Sequence, residues 1–315
     1  MMTDSNPSTK KKTWKTILLL GATGQVGYEI KKALDQQYLS DPSTNTRLYA
    51  PHRLELDLSQ PDQIRQKIDE IKPDLIINLS GFTRVDAAET HQKEAHHINA
   101  VLPGLIGELA QHLGAFVIHY SSTFIFDGQQ RSAYRETDTP NPLNFYGETK
   151  LLGEKALFAA CAHHLIIRAN WCYGDRTNNF AKTILKLAQE KETLNIIEDQ
   201  IGSPTWARDY ANATIQLIED PQKLRNNPGI YHLSAASSAS RLAWATTLLD
   251  EARPLRPQTR WAQLRPTTTA NYPLVAKRPL YTVTNNEKIN KTFGITLPDW
   301  QMQVKTFVRS LNNTL

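Results

Sequence analysis

The sequence predicts an α/β protein built on a doubly wound parallel sheet, and three observations carry that prediction. Short apolar runs recur through the first half of the 315-residue chain, alternating with stretches of helical periodicity. These runs are apolar throughout rather than alternating with polar residues, as in strands covered on both faces. The first of them, Thr16–Leu20, ends in a glycine-rich turn that opens a helix. With 40% apolar residues the chain can build a substantial core.

Residues 1–15 form a polar tail that is expected to be disordered. Lys10, Lys11, Lys12 and Lys15, set against Asp4, hold most of the net charge of +5. The pI of about 9.0 therefore gives the body of the chain little claim to nucleic acid. The apolar run of the first strand stops at Gly21, short of the roughly 7–15 residues of a signal peptide's apolar region. No run approaches the ~18 residues of a membrane helix. A cytoplasmic protein with no membrane partner is expected. Two cysteines exclude a disulfide scaffold and a four-cysteine zinc site.

After the turn, Val26, Ile30, Ala33 and Leu34 recur at helical spacing. Further strands are expected at 47–50, 74–79, 115–121 and 164–168, with helices at 61–71, 91–112 and 146–161. Residues 39–46 read as a polar surface loop. Beyond residue 170, helices are expected at 179–191, 210–219, 240–252 and 300–311. Residues 253–276, rich in Pro, Arg and Thr, read as loop-like and suited to form a substrate wall. The expected division is a nucleotide-binding domain at 16–170 that carries the catalytic residues, and a smaller α/β, mainly substrate-binding domain at 171–315. The second leaves room for the chain to cross back to the first sheet.

Gly21, Gly24 and Gly27 give GxxGxxG between strand and helix. The first permits a tight turn, the second lets the backbone approach a pyrophosphate, and the third lets helix pack on strand. The helix N-terminus then offers N–H groups to phosphate. Thr23, Gln25 and Val26 belong to the same expected contact, which makes the domain Rossmann-type. His52 and Arg53 follow the second strand, with no acid before Glu55, and favour the 2′-phosphate of NADP(H); NAD(H) stays open. A solvated loop cation is the plainer reading of Arg53. Asp57 and Leu58 are placed at the adenine edge.

Tyr146 and Lys150 stand four residues apart on a predicted helix and so share a face. A carbonyl that accepts hydride needs a proton. A phenol near pKa 10 gives one up readily only when a nearby cation favours its phenolate. Lys150 would supply that charge and hold the nicotinamide ribose. Ser122, at the end of the strand FVIHYSS, would hold the reacting oxygen. The plainer reading is an exposed Tyr and Lys on an amphipathic helix. Asn99 would lie on the preceding helix, at the cofactor or as a packing amide. His96–His97 and His163–His164 are adjacent pairs and make poor metal sites. Neither HExxH nor GxSxG occurs. Cys172, near the expected site, reads as packing.

These residues resemble the dTDP-4-dehydrorhamnose reductases, within the extended short-chain dehydrogenase/reductases. The resemblance covers roughly residues 16–310. It rests on GATGQVG at 21–27, VDAAE at 85–89, GAFVIHYSS at 114–122 and DTPNPLNFYGETKLLGEKAL at 138–157. NNFAKTILKLA at 178–188, DQIGSPT at 199–205, YHLSA at 231–235 and LPDW at 297–300 continue it.

The resemblance implies NAD(P)H-dependent reduction of the C4 ketone of dTDP-4-dehydro-β-L-rhamnose, the last step of activated rhamnose synthesis for surface polysaccharide. It makes Ser122, Tyr146 and Lys150 catalytic, with Ser122 in place of the family's Thr. It sets Leu79, Ser80 and Gly81 beside the nicotinamide. Phe82, Thr123, Phe124, Trp171, Asn179, Phe180, Gln200, Gly202 and Ser203 fall at the dTDP-sugar. Thr123 and Phe124 replace the family's usual Asp and Tyr, which keeps a related dTDP-4-keto-6-deoxysugar open, as in a dihydrostreptose-type synthase. A non-catalytic NADP-binding regulatory subunit is a third reading. Arg241 stands where an aromatic is usual, and Arg278 is a cation suited to a sugar diphosphate. Some relatives bridge a homodimer through acid-bound Mg²⁺. Glu29 fits one acidic position but Arg208 stands at another, so no metal is expected, and a homodimer stays open.

Overall fold

The computed structural model describes residues 13–39 and 45–311. Six parallel strands form the central sheet: β1 (Thr16–Leu20), β2 (Arg47–Tyr49), β3 (Leu75–Asn78), β4 (Phe116–Ser122), β5 (His164–Ala169) and β6 (Gly229–Leu233). Their spatial order is β6-β5-β4-β3-β1-β2. Successive side chains of each strand serve opposite layers, which is why the strands read as continuous apolar runs. Ile17, Leu19, Ile77 and Ile118 face one core, beneath α1 (Gln25–Leu34) and a later helix. Leu18, Leu20, Ile76 and Val117 face the other, beneath α2 (Pro61–Ile71), α3 (Leu102–Leu113) and α4 (Phe145–Ala160). Both faces are covered, as the doubly wound expectation requires.

The second half of the chain adds α5 (Phe180–Glu190), α6 (Ala207–Ile218), α7 (Arg241–Ala252) and α8 (Trp300–Ser310). α6 is the later helix that packs on the sheet beside α1, and β6 pairs with β5 in parallel, Ile230 opposite Ile166. The chain thus crosses back, and the sheet draws on both sides of residue 170.

Three expectations are corrected. Trp14 is not part of a disordered tail. It is 2% exposed, and its indole N–H donates to the Ile218 carbonyl at 2.8 Å, because an apolar ring just ahead of β1 seats under α6. The rest of the expected tail, residues 1–12, lies outside the described residues, as do residues 40–44 of the expected loop. Residues 253–276 are not simply loop-like: Gln263–Thr267 is a strand, paired in parallel with Thr193–Ile197. The helix expected over 91–112 is broken into Gln92–His96, a π-helical turn His97–Val101, and α3. The π turn carries Asn99, whose amide is engaged across the fold (below). Among the described residues no helix is long and apolar enough to cross a membrane.

Candidate active site

The strands deliver β1, β3, β4 and β5 side by side at their C-terminal ends, where an open α/β sheet forms its ligand crevice. At β1 the chain turns through Gly21, whose φ of 80° is left-handed. A Cβ there would lie 2.7 Å from the Leu79 carbonyl carbon and the Ser80 nitrogen. At Gly27 a Cβ would come within 2.2 Å of the Gly21 oxygen, so helix and turn touch backbone to backbone. At Gly24 the nearest such contact is 3.3 Å. Gly24 is the N-cap of α1, no side chain caps the helix, and no acid sits in its first turn. That leaves the first-turn N–H groups and the positive helix end for an anion. The turn therefore fits a dinucleotide pyrophosphate. Thr23 is exposed at this surface, while Val26 is buried against the core and Gln25 accepts from the Asn179 amide at 3.1 Å.

Beyond β2, His52 and Arg53 are exposed in a turn closed by Glu55, whose carboxylate accepts from the His52 N–H at 2.7 Å. The Asp57 carboxyl is held below its usual pKa, chiefly by the Ser59 backbone N–H, with a smaller contribution from Arg53. Leu58 offers its carbonyl to the His97 ring at 3.2 Å.

At β3 the Leu79 N–H donates to Leu20, and Ser80 is buried beside Asn78. A Cβ on Gly81 would lie 4.0 Å from the Lys150 ammonium. Asn99, expected among cofactor contacts, is 0% exposed. Its Oδ1 accepts from the Phe82 N–H at 2.9 Å, and its Nδ2 donates to the Phe82 carbonyl and the Thr149 hydroxyl, each at 3.1 Å. It ties the Gly81–Phe82 loop to α4. Phe82 itself is largely buried, with Arg84 over its ring.

The start of α4 is pressed onto the end of β4. Asn144 caps it by accepting from the Gly147 N–H at 2.8 Å, and a Cβ on Gly147 would lie 2.2 Å from the Phe124 oxygen. This contact brings Tyr146 to Ser122. Phe124 meets the Tyr146 ring edge-on at 5.9 Å. Burial raises the Tyr146 phenol above its ordinary pKa, and a hydrogen bond with Ser122 pulls it partly back. The Lys150 ammonium donates to the Tyr120 carbonyl at 2.7 Å. Burial brings Lys150 down to about 8, opposed by Glu154 one helical turn away. Glu154 is in turn held by Arg168 of β5 through Nε at 3.1 Å and Nη2 at 2.8 Å.

The sequence reading missed this Glu154–Arg168 pair, although Glu154 follows Lys150 at i+4. It also missed Asn78 and His119, which hydrogen-bond at 3.1 Å across β3 and β4. Burial and the charge of Lys150 keep His119 well below its ordinary pKa, hence neutral. Nothing in FVIHYSS distinguishes this histidine from any other strand residue.

On the far side of the crevice, Trp171 follows β5 with a left-handed φ of 29°. Its indole lies along Gly202, where a Cβ would come within 2.4 Å of the ring. Trp244 stacks with Trp171 at 5.9 Å and with Phe180 at 4.5 Å. Four of the expected substrate contacts are buried or engaged with the protein here. Thr123 and Ser203 are each 1% exposed and lie beneath the surface. Asn179 spends its amide on Gly174, Gln25 and the cap of α5, and Gln200 spends its own on Arg241 and Thr269. Arg278 is likewise not free for a diphosphate, since Asp86 neutralises it at 2.7 Å. Burial pushes the Cys172 thiol up to about 12, so it stays protonated.

A bridging metal does not fit the acidic position at Glu29. The Arg208 guanidinium already pairs with Glu29 at 3.2 Å and reaches Asp175 at 3.8 Å. Among the described residues no three His, Cys, Asp or Glu converge on a metal position.

The profile of the RmlD substrate binding domain family matches residues 15–313. A dTDP-4-dehydrorhamnose reductase of Escherichia coli K12 is 40% identical over 300 residues, covering 95% of this chain and 98% of that protein. The crystal structure of a dTDP-4-dehydrorhamnose reductase from Clostridium acetobutylicum superposes with a TM-score of 0.84 at 31% identity, covering 94% of this chain and 99% of that one. A Bacillus anthracis dTDP-4-dehydrorhamnose reductase in complex with NADP gives the same TM-score at 28% identity and the same coverage. The chain belongs to the RmlD substrate binding domain family.

Proposed function

We propose that this chain is a reductase that converts the C4 ketone of dTDP-4-dehydro-β-L-rhamnose to the alcohol with NADPH. The observation that carries the reading is the convergence of Ser122, Tyr146 and Lys150 at the C-terminal edge of β4, opposite the glycine turn. The full-length similarity to dTDP-4-dehydrorhamnose reductases supports the substrate, and the NADP complex of a relative supports the cofactor. Gly21, Gly24, Gly27 and the open end of α1 would hold the pyrophosphate, with Arg53 at the 2′-phosphate. NADPH, when bound, supplies the hydride.

The chain's own residues manage the oxygen and its proton. Ser122 donates to the ketone oxygen and fixes it beside the Tyr146 hydroxyl. Because burial raises the Tyr146 pKa, the phenol is protonated at neutral pH, as a proton donor must be. As negative charge gathers on the oxygen, the phenol proton moves to it and the alcohol forms. The fixed Lys150 ammonium then stabilises the phenolate left behind. Trp171 would line the sugar end of the crevice with apolar surface.

The test is to supply dTDP-4-dehydro-β-L-rhamnose with NADPH, follow the loss of reduced cofactor and identify the product. Stoichiometric formation of dTDP-β-L-rhamnose is expected. A folded, cofactor-binding protein that leaves both reactants unchanged would overturn the reading.

A further inference from the structure

Arg241 is a cation that three local terms disfavour. It is the first residue of the 12-residue helix α7, at the positive end of the helix dipole. It is half-buried among aromatic rings, and burial followed by the charge of Arg278 draws its pKa down to about 10. Among the described residues no carboxylate pairs with it. Asp199, the acid next to Gln200, spends its oxygens on the Thr269 N–H and hydroxyl. A cation so placed, and still charged at neutral pH, calls for an anion that the protein does not itself supply.

What holds Arg241 also aims it. Its guanidinium lies 4.3 Å from the Trp171 ring centre and 5.1 Å from that of Phe180. Its Nε donates to the Gln200 Oε1 at 2.8 Å, and Gln200 is fixed in turn by Thr269 at 3.2 Å. That arrangement sets the plane of the fork through one nitrogen and leaves the two terminal nitrogens for a ligand. Trp171 begins two residues after Ala169, the register partner of Ser122 across β4 and β5. The guanidinium therefore stands one indole away from the reacting end of the crevice.

We propose that Arg241 binds the diphosphate of the sugar nucleotide through its terminal nitrogens. Gln200, Trp171 and Phe180 act as positioning residues for it. A planar fork matches phosphate oxygens, and its weak hydration suits a stacked, half-buried place. This inference rests on the reading of the substrate as a nucleoside diphosphate sugar.

The test compares the wild type with Arg241→Gln and Arg241→Lys, using dTDP and thymidine as probes in NMR titrations and NADPH affinity as the measure of an intact fold. Arg241→Gln should weaken dTDP by roughly tenfold to a hundredfold, the worth of charge-assisted hydrogen bonds. It should leave thymidine and NADPH unchanged. Arg241→Lys, which keeps the charge without the fork, should fall between. Unchanged dTDP affinity in Arg241→Gln, or equal losses for dTDP and thymidine, would overturn the assignment. Turnover separates the two readings. An Arg241-dependent dTDP site in a wild type that does not reduce the ketone would sink the proposed reaction and leave this site standing. An active wild type whose KM and dTDP affinity ignore Arg241 would do the reverse.

Discussion

The Lys150 ammonium donates to the Tyr120 carbonyl oxygen at 2.7 Å. The cation of the YxxxK pair is thus anchored to the strand that ends in Ser122, and it reaches the crevice at a fixed point beside Gly81. Tyr146 is governed separately, by burial and by Ser122. The donor and the cation that supports it are held by different parts of β4.

Replacing Tyr146 by Phe removes the proton donor and keeps the edge-on packing against Phe124. Turnover of the ketone should fall by about a hundredfold or more, the usual worth of a general acid. NADPH affinity should hold. Steady-state rates together with NADPH titration check this, and unaltered turnover would refute the assigned donor.

Lys150 gives the pH dependence. Its folded pKa, about 8, lies below the ordinary 10.5, because burial penalises the ammonium. The free enzyme should lose the cation as pH rises through about 8, so kcat/KM for NADPH should decline on that side. Stability moves the other way. The unfolded chain binds this proton more tightly, so the charged lysine destabilises the fold below about 8. That cost is relieved between 8 and 10.5. A rate profile flat to pH 10 would contradict the burial of Lys150.

The glycine turn separates packing from binding. Gly27→Ala would drive a methyl to within 2.2 Å of the Gly21 oxygen, against 3.3 Å at Gly24. Gly27→Ala should cost about 1–3 kcal/mol of stability, as overpacking does. Gly24→Ala should melt close to the wild type and yet bind NADPH more weakly, since in the proposed site its methyl would face the pyrophosphate. Thermal melts and NADPH titrations of the two variants check the contrast.

Arg53 is exposed. Arg53→Ala should leave the melting temperature in place and reduce the preference for NADPH over NADH. An unaltered ratio of the two kcat/KM values would remove the basis for choosing NADP.

The parts of this fold that were legible in the sequence carry their own local pattern. Thr16–Leu20 and the turn after it announce themselves, and so does the helix that sets Tyr146 four residues from Lys150. The parts that were not legible depend on distant partners. Gly229–Leu233 is a strand because β5, some sixty residues earlier, offers it an edge. Gln263–Thr267 has no apolar stripe and contains Pro266, which suits only an edge strand such as this one beside Thr193–Ile197. Trp14 looked like tail because the helix that covers it lies some two hundred residues away. In the site, residue types predicted the neighbourhood better than the contacts. Asn99, Asn179 and Gln200 are all there, but their amides are spent on the protein. Glu154 acts on Lys150, and Lys150 on His119, at a depth of burial that the sequence does not reveal.

The central claim is that the crevice at Ser122, Tyr146 and Lys150 delivers hydride to C4 of the sugar. Its most direct test is a turnover with NADPH deuterated at the transferring position of the nicotinamide, on dTDP-4-dehydro-β-L-rhamnose, with the product read by NMR. The account predicts deuterium at C4 of dTDP-β-L-rhamnose. Deuterium at another carbon, or a reduced product without deuterium, would contradict it.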